Sequence, residues 1–122
     1  MRVLVVDDNR DILDLIQRVL VTYGHEVVTA RDGREALQQE SAARPDVVLL
    51  DVNIPYLNGW EVCRRIKARR NVPVMLLTVR AEQTDFDRSR DSGADDHIAK
   101  PFEIADLLAR IERYTTFENA KR

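Results

Sequence analysis

Short, almost wholly apolar runs recur along this chain, and several of them end at a polar side chain. The run at 47–50, VVLL, stops at Asp51, and the run at 3–6, VLVV, stops at Asp7. Such short runs, rich in Val and Leu, are typical of strands that are buried on both faces of a parallel sheet. Between them, segments such as 9–24 place apolar residues at helical spacing. This alternation predicts an α/β fold.

The pattern predicts five strands that alternate with five helices. The strands are expected at 2–6, 26–30, 46–50, 72–77 and 97–99, and the helices within 9–24, 32–43, 58–68, 81–92 and a last segment around 104–111. Parallel strands need right-handed crossovers, which place helices on both faces of the sheet. For units this short, we expect the flavodoxin-like (βα)5 fold, a three-layer sandwich whose parallel sheet has the order 2-1-3-4-5.

Three helix ends carry local signatures. Asp32 with Glu35, and Asn58 with Glu61, stand at capping-box spacing, in which the first side chain accepts hydrogen bonds from the first helical turn. Gly24 follows the apolar pattern of the first helix, and we expect it at the C′ position, where glycine is common. These residues predict where the helices begin and end.

The composition excludes several classes of protein. With 122 residues, 44% hydrophobic and 33% charged, the chain is expected to form one globular domain. Nineteen basic and 21 acidic side chains leave a net charge of −2, so no bulk charge favours nucleic acid or membrane as a direct partner. The single Cys63 excludes an internal disulfide and is compatible with a reducing compartment. No apolar run is long enough for a signal peptide or a membrane helix, and we expect a cytoplasmic location.

Acids, a hydroxyl or a lysine directly follow four of the predicted strands, the first, third, fourth and fifth. Asp7 and Asp8 follow the first strand, Asp51 the third, Thr78 the fourth and Lys100 the fifth. Parallel strands end at the same edge of a sheet, and in this strand order the first and third strands flank the crevice that binds ligands. We therefore expect the five side chains to converge on one site.

These residue types together describe a particular chemistry. Three neighbouring carboxylates repel one another, which raises a pKa or requires a cation. Mg²⁺ suits a site with few carboxylates, several waters and a substrate phosphate. Thr78 adds a hydroxyl and Lys100 an ammonium group, so the set is typical of phosphoryl transfer to a carboxylate nucleophile. Taken singly, each side chain has an ordinary explanation as a helix cap or a solvated surface residue; the joint arrangement favours a site.

Four segments carry this pattern: VLVVDDN (3–9), VVLLDVNIPYLNGWEV (47–62), VPVMLLT (72–78) and GADDHIAKPFE (93–103). In order and spacing they resemble the receiver domain of bacterial two-component response regulators, and the likeness covers essentially the whole chain. The resemblance implies that Asp51 accepts a phosphoryl group in a Mg²⁺-dependent (or Mn²⁺-dependent) reaction. It also implies that Asp7, Asp8 and Asp51 hold the metal together with the backbone carbonyl of Asn53.

The resemblance assigns roles to residues of the last two strands as well. Thr78 and Lys100 are expected to engage the phosphoryl oxygens, and the peptide bond before Pro101 is expected to be cis, which is rare outside X-Pro bonds. His97 stands where the family usually has a Tyr or Phe that turns inward on activation. Imidazole is smaller and polar. Two interpretations stay open: His97 is a switch residue together with Thr78, or it is an exposed strand residue.

The resemblance also implies partners. A sensor histidine kinase or a phosphotransfer protein would supply the phosphoryl group, and the face formed by the fourth helix, fifth strand and fifth helix would signal to a downstream effector. Family members that dimerise through that face commonly combine an apolar patch with salt bridges. Asp95, Asp96 and Arg110 suit the salt bridges, but the helix over 81–92 is polar, so at most a weak homodimer is expected. The chain would catalyse only its own phosphorylation and dephosphorylation.

The domain prediction is simple. Residues 1–122 are expected to form a single receiver domain, with residues from about 113 to 122 as a tail or as a linker to an output domain. Among residues outside the pattern, His25 is expected at the surface and Cys63 in the core. Trp60 is ambiguous between packing and contact with a partner.

Three other functions are weighed against this one. A metal-dependent phosphatase with an Asp nucleophile needs a second acid, which the sequence DVN at 51–53 lacks. A degenerate interaction module that is not phosphorylated would not need the complete set of acids. A flavin-binding domain of the same topology would need a phosphate-binding loop, and no suitable loop is found in the sequence.

Overall fold

The computed structural model describes residues 1–78, 87, 88 and 90–121. Its strands are β1 (Arg2–Val6), β2 (Glu26–Ala30), β3 (Val47–Asp51), β4 (Val74–Thr78) and β5 (Asp96–Ala99). Its helices are α1 (Arg10–Thr22), α2 (Gly33–Ala43), α3 (Gly59–Arg69) and the C-terminal helix (Ile104–Lys121). The helix predicted over 81–92 lies largely outside the described residues.

The five strands form one parallel sheet in the order β2-β1-β3-β4-β5. The predicted fold and strand order are therefore confirmed. The register matters for function, because β3 pairs Asp51 with Leu77 of β4, and β4 pairs Thr78 with Ala99 of β5. The last residues of these strands thus lie side by side, and Lys100 follows directly after β5.

Both faces of the sheet are covered by apolar layers. The strands β3 and β4 are buried at every position, as expected for central strands of a doubly wound sheet. The layer that includes α2 and α3 contains Leu4, Val6, Val48, Leu50, Val62 and Ile66 among its buried members. The opposite layer, with α1 and the C-terminal helix, contains Val3, Leu13, Ile16, Leu49, Met75 and Ile111.

Helix starts follow the side chains that the sequence marks. The carboxylate of Asp32 accepts a hydrogen bond from the Glu35 backbone N–H at 2.8 Å, and the amide oxygen of Asn58 accepts one from the Glu61 N–H at 3.0 Å. Asn9 caps α1 in the same way. Each cap satisfies a donor that the first helical turn leaves without a partner.

The end of α1 is a glycine-dependent turn. Gly24 has a φ of +89°, a left-handed conformation that glycine adopts at low cost. Its N–H donates to the Val21 carbonyl and the His25 N–H to the Leu20 carbonyl, both at 3.0 Å, which is the hydrogen-bond pattern of a Schellman motif. The predicted C′ position of Gly24 is confirmed.

The expectation that His25 lies at the surface is wrong. The residue is 8% exposed; its Nε2 lies 2.8 Å from Glu112 Oε1 and its Nδ1 lies 3.3 Å from the amino terminus of Met1. Burial is possible because both ring nitrogens have polar partners.

None of the helices in the described part of the chain combines the length and the apolar character that a membrane crossing requires.

Candidate functional site

The structure brings all five predicted site residues to the carboxyl edge of the sheet. Asp51 and Thr78 are the last residues of β3 and β4, Asp7 and Asp8 come directly after β1, and Lys100 comes directly after β5. Asp7, Asp51 and Thr78 are buried, whereas Asp8 is exposed. The site therefore has a base of buried side chains and one acid that faces the solvent.

A lysine bridges the two buried acids. Lys100 Nζ lies 2.9 Å from Asp7 Oδ2 and 3.0 Å from Asp51 Oδ2. Its side chain is 16% exposed, and the two carboxylates are nearly inaccessible. Since two buried carboxylates repel each other, the shared ammonium group is what allows both to be charged at this depth.

Each buried carboxylate is also held by the backbone of the loop that follows it. The Asn9 N–H donates to Asp7 Oδ1 at 2.9 Å, and the Asn53 N–H donates to Asp51 Oδ1 at 3.0 Å. Each acid thus uses one oxygen for the backbone and the other for Lys100. This division fixes the orientation of both carboxylates before any ligand binds.

The electrostatics of the site follow from burial and from this shared cation. Burial raises the pKa of Asp51 and the charge of Asp7 raises it further, although the Asn53 N–H and Lys100 oppose the shift. Burial alone would lower the pKa of Lys100, but the hydrogen bonds and charges of the two acids outweigh it and raise that pKa. Lys100 therefore stays cationic.

Thr78 places a hydroxyl at the same edge. The residue is 2% exposed, and among the described residues its Oγ1 has no hydrogen-bond partner. Its carbonyl accepts a hydrogen bond from the Lys100 N–H at 2.6 Å, which ties the ends of β4 and β5 together. The Lys100–Pro101 peptide bond is cis. A buried hydroxyl without a partner is costly, so this donor is well suited to a ligand oxygen.

Sequence reasoning missed one residue beneath the site. A Cβ on Gly59 would lie 2.5 Å from the Val52 Cα and 2.6 Å from the Asp51 carbonyl oxygen. The Gly59 N–H also donates to the Val52 carbonyl at 2.9 Å. The first turn of α3 therefore packs directly on the backbone of Asp51 and Val52. The sequence NG at 58–59 marks a helix start, but a single sequence does not show this contact.

The donor set fits a hard divalent cation. Asp7, Asp8 and Asp51 each offer a carboxylate oxygen, and these oxygens lie within 4.8 Å of one another. Oxygen donors and an exposed side, at which water and a phosphate can complete the coordination, are what Mg²⁺ requires. Of the predicted metal ligands, the structure thus brings the three carboxylates together, and Asn53 adjoins them through its N–H to Asp51.

Comparison with known proteins decides the family. Residues 3–112 match the family described as the response regulator receiver domain. The chain belongs to that family. The receiver domain is 45% identical over 112 residues to the transcriptional regulatory protein PrrA of Mycobacterium tuberculosis, and 43% identical over 111 residues to the response regulator MprA of Mycolicibacterium vanbaalenii. These matches cover 91% and 90% of the chain but 48% of each relative, so the chain spans about half the length of the curated relatives it matches.

Solved structures show the same fold in the family. The chemotaxis response regulator CheY4 of Vibrio cholerae has a TM-score of 0.87 at 34% identity, with 93% of this chain and 97% of that chain covered. The BeF3-activated receiver domain of RstA from Klebsiella pneumoniae has a TM-score of 0.89 at 30% identity, with the same coverage. The flavodoxin-like architecture of this receiver domain is therefore shown by both its own topology and its relatives.

The face around β5 differs from the expectation in one respect. Asp95 and Asp96, expected to suit salt bridges between copies, are paired within the receiver domain, with Lys67 at 2.8 Å and Arg110 at 2.9 Å respectively. His97 is partly buried and its carbonyl accepts a hydrogen bond from Arg110 at 3.0 Å. The purely exposed interpretation of His97 is thus too simple, while its role as a switch residue stays a prediction.

Proposed function

We propose that this receiver domain accepts a phosphoryl group on Asp51 from the phosphohistidine of a sensor kinase or phosphotransfer protein. The observation that supports this proposal is the convergence of three acids, a buried hydroxyl and an ammonium group at one sheet edge. The hydroxyl, that of Thr78, has no hydrogen-bond partner in the described part of the chain. Residues 1–122 act as one receiver domain, with the stretch from about 113 as a tail or linker.

The transfer step is a displacement at phosphorus. A carboxylate oxygen of Asp51 attacks in line, the new O–P bond forms, and the P–N bond to the donor histidine breaks. The electrons of that bond stay on the imidazole nitrogen, which leaves as a neutral ring when its other nitrogen carries a proton. Asp51 is oriented for this attack by the Asn53 N–H on one oxygen and by Lys100 on the other.

The metal supports this step when it is bound. Asp7, Asp8 and Asp51, with the backbone carbonyl of Asn53, would hold Mg²⁺ or Mn²⁺, which offsets charge that develops on the phosphoryl oxygens. Lys100, already shared by two of these acids, would pair with a phosphoryl oxygen, and Thr78 would donate its hydroxyl to another. The contacts of the Lys100 and Thr78 side chains would therefore depend on whether Asp51 carries a phosphoryl group.

The product carries the signal. By analogy with other phosphorylated side chains, phosphorylated Asp51 carries about −1.5 to −2 charges, and Thr78 and Lys100 would reorient toward it. The signal would leave through β5, which carries His97, the neighbouring C-terminal helix and the helix predicted over 81–92. The output would be a downstream effector, since the curated relatives named above are a transcriptional regulatory protein and a response regulator.

The test is phosphorylation by a small acyl phosphate. The chain is expected to gain the mass of one phosphoryl group in the presence of Mg²⁺, and Asp51→Asn is expected to gain none, because it lacks the nucleophile. Intact mass spectrometry measures both. No gain that depends on Asp51 would refute the proposal, and sustained turnover of a phosphomonoester would favour the phosphatase instead.

Metal binding is tested separately. Adding Mg²⁺ at about 100 times its Kd is expected to stabilise the chain by about 2.7 kcal/mol, because the ion binds the folded site. Thermal unfolding with and without Mg²⁺ measures this gain. Asp8→Ala removes a predicted ligand that makes no ion pair with Lys100 and is expected to lose most of the gain. Arg64→Ala, which removes an exposed ion pair with Glu61, is expected to keep it.

A further inference from the structure

The guanidinium group of Arg88 stacks on the ring of Trp60, the only tryptophan in the chain. Its central carbon lies 3.9 Å from the ring centroid, within the range of cation–π attraction. Arg88 is exposed, whereas Trp60 is 8% exposed and belongs to the apolar layer around α3. The stack therefore joins a surface arginine to the core beside the acceptor. Nothing in the proposed function uses this contact.

Trp60 is fixed relative to Asp51. It directly follows Gly59, whose N–H is bonded to the Val52 carbonyl and whose Cα lies so close to the Asp51 carbonyl that a Cβ would be 2.6 Å from it. Close-packed contacts of this kind transmit displacement and leave little free movement. The indole ring therefore keeps a fixed position relative to the end of β3.

Arg88, in contrast, lies on the chain segment that leaves β4 at Thr78. The Thr78 hydroxyl is buried without a partner among the described residues while Asp51 is unmodified. A phosphoryl group on Asp51 supplies an acceptor for it. When Thr78 moves toward that acceptor, Arg88, which follows it along the chain, is expected to move relative to Trp60, which stays with Asp51. The stack thus joins a residue that follows Thr78 to the residue after Gly59, which packs on Asp51.

We propose that the Arg88–Trp60 stack is a latch that stabilises the unphosphorylated arrangement and slows phosphorylation of Asp51. This inference rests on the proposed function and adds a regulatory contact to the same site. The stack opposes the arrangement that phosphorylated Asp51 favours, and Asp51 reacts more slowly because only the fraction of chains in which the stack is open is competent to react. The strength of an exposed cation–π contact corresponds to a change of about two- to fivefold in the equilibrium.

Arg88→Ala tests the latch. With a small acyl phosphate and Mg²⁺, this variant is expected to be phosphorylated about two- to fivefold faster than the unaltered chain, by intact mass against time. Trp60 emission is expected to change when the unaltered chain is phosphorylated, and to change less in Arg88→Ala, which has already lost the stack. Arg88→Lys keeps the charge without the planar group, and its phosphorylation rate is expected to lie between those of the unaltered chain and Arg88→Ala.

Matched controls separate the latch from other causes. Arg90→Ala removes an exposed arginine of the same segment that pairs with Asp87, and it is expected to behave like the unaltered chain. Asp51→Asn with donor and Mg²⁺ reports any emission change that metal alone causes. A chain that gains the phosphoryl group without an emission change, or Arg88→Ala with an unaltered rate, overturns the latch while the proposed function stands. No mass gain in the unaltered chain overturns both.

Discussion

Replacing Lys100 by methionine is expected to lower the free energy of unfolding of the metal-free chain by about 3 kcal/mol near neutral pH. Removing one partner of a buried ion pair typically costs about 3–5 kcal/mol, because the remaining charge is left uncompensated. In this site two carboxylates, Asp7 and Asp51, lose the same cation. The 16% exposure of the lysine side chain places the expected loss at the lower end of that range. Urea unfolding in the presence of a chelator measures it.

The loss in Lys100→Met is expected to shrink as the pH falls. Burial and Asp7 raise the pKa of Asp51 above its ordinary value, and Lys100 opposes that rise, so the folded pKa goes up further in the variant. A carboxyl group whose pKa is higher in the folded state binds more protons when folded, and stability therefore increases as pH falls through the folded pKa. Unfolding measured between neutral and mildly acidic pH tests the sign.

A surface ion pair supplies the control for this variant. Arg64→Met breaks an ion pair with Glu61 in which the side chains are 51% and 35% exposed, and such exposed pairs contribute little to stability. A loss in Lys100→Met no larger than that of Arg64→Met, or one that grows with acidification, would contradict the role of Lys100 as the cation that keeps both buried acids charged. Activity is not the readout, because Lys100 is also expected to contact the phosphoryl group.

The sequence predicts the sheet well because its pattern is local. The continuous apolar runs give β1 and β2 at the bounds observed, and β3, β4 and β5 within two residues. The positions of Asp51 and Thr78 follow from strand ends and from a strand order that few connections allow. The convergence of the five site residues could therefore be predicted without any coordinates.

The sequence predicts poorly whatever depends on a distant side chain. His25 is buried because Glu112 and the amino terminus meet it from far along the chain. Glu40 is 1% exposed although it lies in a polar stretch of α2, because Arg69 and Arg70 at the end of α3 approach it at 3.3 and 3.5 Å. Buried charges are tolerated only when paired, and a single sequence does not show which residues pair.

The loop after Asp51 shows the same limit in its backbone. Tyr56 has a φ of 73°, which is uncommon for an aromatic residue, and nothing in IPYLN distinguishes it from an ordinary loop residue. The residue is 70% exposed, and its ring lies under the guanidinium of Arg34, whose central carbon is 3.8 Å from the ring centroid. Gly33 explains part of the loop's position, because a Cβ there would lie 2.7 Å from the Leu57 Cβ. Only the packed structure shows such contacts.

Gly59 affects both the packing of α3 against β3 and the position of Asp51. In Gly59→Ala the new methyl group would lie 2.5 Å from the Val52 Cα and 2.6 Å from the Asp51 carbonyl oxygen. Both neighbours are backbone atoms, so the end of β3 or the start of α3 must shift. Overpacking of this kind typically costs about 1–3 kcal/mol. We expect a loss of stability in that range, measured by urea unfolding.

The larger expected effect of Gly59→Ala is on phosphorylation. Shifting the Asp51 backbone misaligns its carboxylate against Lys100 and the Asn53 N–H, and a misplacement of about 1 Å can cost about 100-fold in rate. Intact mass against time with a small acyl phosphate and Mg²⁺ measures this rate.

Gly24→Ala is the control: it strains a residue at φ +89° with no atom within 4 Å of the new Cβ, so it is expected to lose stability yet keep the phosphorylation rate. If Gly59→Ala matched Gly24→Ala in rate while losing stability, the contact would support the fold without positioning Asp51. A folded Gly59→Ala with a normal circular dichroism spectrum and a slow rate would instead show that the glycine holds the acceptor in place.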